Sequence, residues 1–206
     1  MTRKLSGLYA ITNEDLMPEE NFLSMAQAAI SSGISILQYR DKSTDKNKRY
    51  AQAGALKKLC DRHNVILIIN DDIELTIQID ADGIHIGKND LTLQDTRKQL
   101  GPNKIIGVSC YNQLSLAEDA VNAGANYIAF GSFFGSSIKP DAPIAPVELI
   151  SSFKNRHSTP LCCIGGITHN NYPPLINAGA DMLAVISDIF STPSTTEITA
   201  RCQNFL

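Results

Sequence analysis

Several absences narrow this chain before any motif is read. No apolar run is long enough to span a bilayer, and residues 1–12 carry two cations without a long apolar stretch, so neither a membrane span nor a signal peptide is expected. Cations do not dominate: Lys and Arg number 18 against 21 Asp and Glu, a formal net charge of -3, which offers no basic field for nucleic acid or an anionic membrane surface. The five cysteines (Cys60, Cys110, Cys162, Cys163, Cys202) form an odd set with no CxxC spacing. They read as reduced structural thiols of a cytoplasmic protein, with no disulfide frame or zinc site. P-loop, nucleophile elbow and GxGxxG after the first strand are all missing.

What is present is alternation. With 206 residues, 43% of them hydrophobic, the chain can bury the core of one compact domain, and residues 1–206 are read as a single unit. Short apolar runs at 7–12, 34–40, 65–69, 83–87, 105–109, 127–131, 160–164 and 182–186 predict strands. Segments at 19–31, 45–63, 73–79, 93–100, 114–123, 147–154, 172–177 and 195–205 predict helices between them. The uniformly apolar 65–69 run predicts a parallel strand buried on both faces. Eight strand–helix units are the pattern of a single (βα)8 TIM barrel, with an eight-stranded doubly wound sheet as the competing fold. Asn122-Ala123-Gly124-Ala125-Asn126 and Asn177-Ala178-Gly179-Ala180-Asp181 repeat weakly, each placing glycine where a helix ends.

Polar residues gather where strands end. On a strand, Gln38, Arg40 and Lys42 share one face, and Leu37 and Tyr39 take the other. An Arg fork beside a Lys suits a phosphate or diphosphate, solvated charges being the plainer reading. The third strand ends in Asn70-Asp71-Asp72, the fourth in Lys88-Asn89-Asp90, the fifth in Ser109, the seventh in Gly165-Gly166 and the eighth in Ser187-Asp188. After the sixth comes a loop at 131–141 carrying Ser136, Ser137 and Lys139, readable as a mobile lid or as an inert surface loop. Neighbouring strands run about 4.8 Å apart, so Asp71 and Asp90 can share one hard cation, Mg2+ with phosphate oxygens and waters, though alone they would read as caps or loop acids. Gly165-Gly166 and Ser187 fall where barrels cradle a phosphate on backbone amides. His85, mid-strand, reads as a hydrogen-bonded core histidine rather than a base. The opposite strand ends carry mostly glycine, proline and linkers.

The ordered set Gln38-Tyr39-Arg40-Asp41-Lys42, Ile69-Asn70-Asp71-Asp72, Asp82-Gly83-Ile84-His85-Ile86-Gly87 with Asp90, Gly107-Val108-Ser109, the 130–139 loop, Ile164-Gly165-Gly166-Ile167 and Val185-Ile186-Ser187 resembles thiamine phosphate synthase over nearly the whole chain. That resemblance implies a transferase joining 4-amino-5-hydroxymethyl-2-methylpyrimidine diphosphate to a thiazole phosphate, or its carboxylated tautomer, with pyrophosphate leaving first. It implies that Gln38, Tyr39, Arg40, Asp41, Lys42, Asn70, Ser109 and Lys139 hold the pyrimidine diphosphate. Asp71 and Asp90 would bind Mg2+, and Ser136, Ser137, Ile138, Gly166, Ile186 and Ser187 the thiazole phosphate. Arg40, Lys42, Ser109 and Lys139 would carry the catalysis. The chain departs from the family where Gly135-Ser136 and Ile138 replace a Pro-Thr and a hydroxyl residue, and where Cys110-Tyr111 replaces a small residue and a histidine. No role of that histidine carries over. A thiazole tautomerase of the same lineage and a non-catalytic phosphate-binding barrel are the rival readings, and a homo-oligomer is compatible with any of the three.

Overall fold

In the computed structural model, which describes residues 4–135 and 143–206, eight parallel strands close into a barrel in sequence order. The strands are β1 (Gly7–Ile11), β2 (Ile36–Tyr39), β3 (Ile66–Asn70), β4 (Gly83–Ile86), β5 (Ile105–Tyr111), β6 (Tyr127–Phe130), β7 (Leu161–Ile164) and β8 (Met182–Val185). Closure is the β1–β8 pairing, Gly7 with Met182 through Ala10 with Val185. A closed barrel, not an open doubly wound sheet, is therefore the fold, and no strand is left with an unpaired edge.

Helices α1 (Phe22–Ser31), α2 (Lys46–His63), α3 (Ile73–Gln78), α4 (Leu93–Leu100), α5 (Leu114–Asn122), α6 (Glu148–Lys154), α7 (Pro173–Asn177) and α9 (Thr195–Gln203) follow the segments read from periodicity, shortened at some ends. A four-residue helix, α8 (Ser187–Phe190), was not expected. Several starts are capped by short polar side chains that accept a first-turn amide: Asp45 from Lys48 N at 3.0 Å, Asp72 from Leu75 N at 2.9 Å and Ser194 from Glu197 N at 3.3 Å.

Period-two alternation sorts each strand between two cores. Tyr9, Ile36, Ile66, Ile68, Tyr127, Cys162 and Met182 point into the barrel, and Leu8, Ala10, Leu37, Tyr39, Leu67, Ile69 and Leu183 point out beneath the helices. Residues 65–69 are each at most 2% exposed, as expected of a strand covered on both faces. The five cysteines are all buried, and burial pushes the Cys110 thiol up to about 12.

The lower rim is more polar than the sequence suggested. Asp82, Asn126 and Asp181 each accept an amide near the start of the preceding strand, from Leu67, Ile106 and Leu161, all at 2.8 Å. Arg97 donates to Asn126 and Lys154 to Asp181. The weak repeat therefore has a shared geometry: a left-handed glycine (Gly124 at φ 89°, Gly179 at φ 107°) turns the chain so that the next polar side chain reaches its neighbouring strand.

Candidate active site

Above the inner core, at the C-terminal ends of the strands, lies a cavity of about 180 Å³ that opens to solvent, with Tyr9, Gln38, Asn70, His85, Ser109 and Tyr111 on one side and Gly165, Gly166, Ile186 and Ser187 on the other. Beside it a more open, polar depression holds Asp41, Lys42, Asp71 and Asp90, and the two share Asn70. The more enclosed first site suits the apolar faces of a ligand, and the open, polar second suits a charged group.

The cations of β2 do not stand alone. Thr12 ties the strand end twice, accepting Arg40 N–H at 2.9 Å and donating to Arg40 O at 3.1 Å. Glu14, which the sequence reading passed over, meets the Arg40 guanidinium at 3.5 Å and accepts Lys42 N–H at 3.1 Å. Lys42 Nζ lies 2.5 Å from Asp71 Oδ2, with the lysine side chain 51% exposed. Pairs this exposed are worth about 0–1 kcal/mol, so an incoming polyanion can take over the cations at small cost.

Asp71 sits at φ 62°, in the left-handed region that Asp tolerates, and its amide donates to His85 O at 3.0 Å. That twist aims its carboxylate toward Asn70 Nδ2, at 2.6 Å, and toward Asp90. Asp90 Oδ2 accepts Gly87 N–H at 2.7 Å. Burial pushes the Asp90 carboxyl up, and the neighbouring Asp71 charge adds to the shift. Two facing carboxylates that repel each other suit a hard divalent cation. Among the described residues no group of three or more His, Cys, Asp or Glu is placed to bind a metal, so the remaining positions would fall to ligand oxygens or water.

Two residues of the expected site turn elsewhere. The Tyr39 ring leaves the cavity, packing edge-on against Phe22 with centroids 6.1 Å apart and donating its hydroxyl to Gln52 Oε1 at 3.0 Å. Alternation requires this, because Gln38 takes the inner face. Asp41 is 8% exposed, with Lys48 Nζ at 2.8 Å and Ser43 N–H at 2.7 Å. Despite burial, which works the other way, these partners hold its carboxyl below the usual range. Ser136, Ser137, Ile138 and Lys139 lie outside the described residues.

Tyr9, His85 and Tyr111 line the site although the sequence did not place them there. Beneath the cavity floor Tyr9 meets the buried Tyr127 with their hydroxyls 2.9 Å apart, and His85 joins them through Tyr127, at 2.9 Å, and reaches Ser109 at 2.8 Å. Tyr111, at φ 54° beyond a bulge in β5, swings its hydroxyl to accept Lys88 N–H at 3.2 Å, steadying the loop that carries Asp90. At the far wall, glycine is required twice: a Cβ on Gly165 (φ 103°) would lie 2.0 Å from Ser132 Oγ, and one on Gly166 (φ 63°) 2.4 Å from Gly135 O.

The family model described as thiamine monophosphate synthase matches residues 8–189, from the first strand to the helix that follows the eighth. The chain belongs to the thiamine monophosphate synthase family. Among solved structures, a thiamine phosphate pyrophosphorylase from Pyrococcus furiosus superposes with a TM-score of 0.88 at 27% identity, covering 98% of this chain and 95% of that one. A thiamine phosphate pyrophosphorylase from Bacteroides thetaiotaomicron gives a TM-score of 0.72 at 13% identity over 97% and 95%. A geranylgeranylglyceryl phosphate synthase from Thermoplasma acidophilum gives 0.71 at 18% over 97% and 91%; both of these last likenesses speak to the barrel alone. In this member of the thiamine monophosphate synthase family, the motif-bearing strand ends surround one cavity and its neighbouring depression.

Proposed function

We propose that the chain is a thiamine phosphate synthase, joining 4-amino-5-hydroxymethyl-2-methylpyrimidine diphosphate to a thiazole phosphate, with release of pyrophosphate. The observation that carries this reading is Arg40 on the wall of the cavity with Lys42, Asp71 and Asp90 in the depression that adjoins it. Departure of a diphosphate needs charge neutralisation more than a strong base, and the rim is built for that. Arg40 and Lys42 take the diphosphate oxygens by exchanging Glu14 and Asp71 for the ligand. Gln38, Asn70 and Ser109 orient the pyrimidine end. Gly166, Ile186 and Ser187, across the mouth, bind the thiazole phosphate and hold its nitrogen toward the pyrimidine methylene, which supplies the orientation term. Asp71 and Asp90 would hold Mg2+, which would supply Lewis-acid neutralisation of the leaving group. Lys139 belongs with the diphosphate site and Ser136, Ser137 and Ile138 with the thiazole phosphate, on the sequence resemblance. Tyr39 and Asp41 support the strand end from behind. The single catalytic domain spans residues 1–206 and works in the cytoplasm on small-molecule substrates; among the described residues no helix is long and apolar enough to cross a membrane.

The test is an assay with both substrates and Mg2+, following thiamine phosphate by mass. Product that disappears with EDTA and falls at least a hundredfold in Asp71→Asn is expected. Turnover unchanged without a divalent metal would refute the reading. Conversion of the thiazole alone would mark a tautomerase, and tight ligand binding without product a non-catalytic barrel.

A further inference from the structure

Five polar side chains from five strands form one unbroken line across the cavity floor. Gln38 Nε2 donates to Tyr9 Oη at 2.7 Å, Tyr9 Oη meets Tyr127 Oη at 2.9 Å, Tyr127 Oη meets His85 Nδ1 at 2.9 Å, and His85 Nε2 meets Ser109 Oγ at 2.8 Å. Gln38 and Tyr9 are 3% and 1% exposed, and Tyr127 is fully buried. Burial raises both phenols above their ordinary range, so each carries one proton at neutral pH and can donate only once.

That restriction links the bonds. Tyr9, accepting from Gln38, gives its proton to Tyr127; Tyr127 gives its own to His85 Nδ1. The imidazole proton then sits on Nε2 and goes to Ser109 Oγ, which leaves the seryl proton and Gln38 Oε1 for the cavity. Were Gln38 to present its oxygen to Tyr9 instead, every bond would turn over together, ending with the proton on His85 Nδ1 and Ser109 donating inward. A line in which only one end reverses leaves a buried polar group unmet.

We propose that Tyr9, Tyr127 and His85 are positioning residues that couple the hydrogen-bonding sense of Gln38 to that of Ser109 across the barrel. Together they hold the pocket with an acceptor at β2 and a donor at β5. The selected ligand is a heterocycle edge that offers N–H on one side and a lone pair on the other, a consequence that rests on the proposed function; the coupling itself rests on the geometry alone.

The test reads the His85 tautomer by 15N long-range correlation in the ligand-free, full-length protein at pH 8, with the signals assigned by their loss in His85→Asn. The expected result is Nε2–H in the native chain and Nδ1–H in Gln38→Glu, since a carboxylate can only accept from Tyr9. In Tyr127→Phe, where the line is cut, adding Gln38→Glu should leave the His85 signals in place. An imidazolium or Nδ1–H form in the native protein, no change in Gln38→Glu, or a change that survives Tyr127→Phe would each overturn the proposal. Because no substrate is present, the outcome is independent of whether thiamine phosphate is made.

Discussion

Arg40 and Lys42 rest on carboxylates at the rim, and this resting pairing explains how two cations can sit beside an apolar strand without a bound anion. Lys42→Ala should therefore fold normally and lower kcat/KM for pyrophosphate release by about a hundredfold, the scale of losing one stabilising donor. A loss below threefold would remove Lys42 from the diphosphate site. Asp41 predicts a different outcome. Its carboxyl is held below the usual value of 3.8 by Lys48 and Ser43. The stability it contributes is thus complete above that value and is lost as pH falls through the lower, folded-state value. Asp41→Asn should cost about 1–2 kcal/mol at pH 7 by urea denaturation, with the difference from the native chain shrinking in acid. A difference that stays constant with pH would contradict this reading.

At the scale of the element, strands approach closely only where a side chain is missing. A Cβ on Gly83 would lie 2.1 Å from Ile105 O, against the backbone of the paired strand, which cannot step aside. Gly83→Ala should destabilise the barrel by about 2–3 kcal/mol or more, seen as an earlier urea midpoint by far-UV circular dichroism, and an unchanged midpoint would refute the packing account. Strand and helix existence was legible in the sequence because period two and period 3.6 are local properties, as α4 (Leu93–Leu100) illustrates by matching the segment read from the chain. The four-residue α8 was not legible, being too short to show a period. Nor was the turn of Tyr111 toward Lys88, which depends on a bulge in β5.

At the scale of the molecule, the two rims divide the work. The upper rim holds the cavity, and polar side chains at the lower rim hold strand amides, as Asp181 does in accepting Leu161 N–H while Lys154 Nζ donates to the same carboxylate. Asp181→Ala should lower stability by about 2 kcal/mol, through the unmet Leu161 amide, and leave kcat/KM within about twofold at a temperature where the variant is folded. Loss of turnover without loss of stability would break this division.

The sequence by itself determined the eight strand–helix units and the strand ends at which polar chemistry gathers, because alternation and run length are written along the chain. Only the tertiary structure decided that Tyr9, Tyr127 and His85, 118 residues apart from first to second, share one hydrogen-bonded floor. It also decided that Glu14 and Asp71 receive the β2 cations. Barrel closure is the physical reason: distances across its interior depend on the pairing of all eight strands and have no counterpart in local spacing.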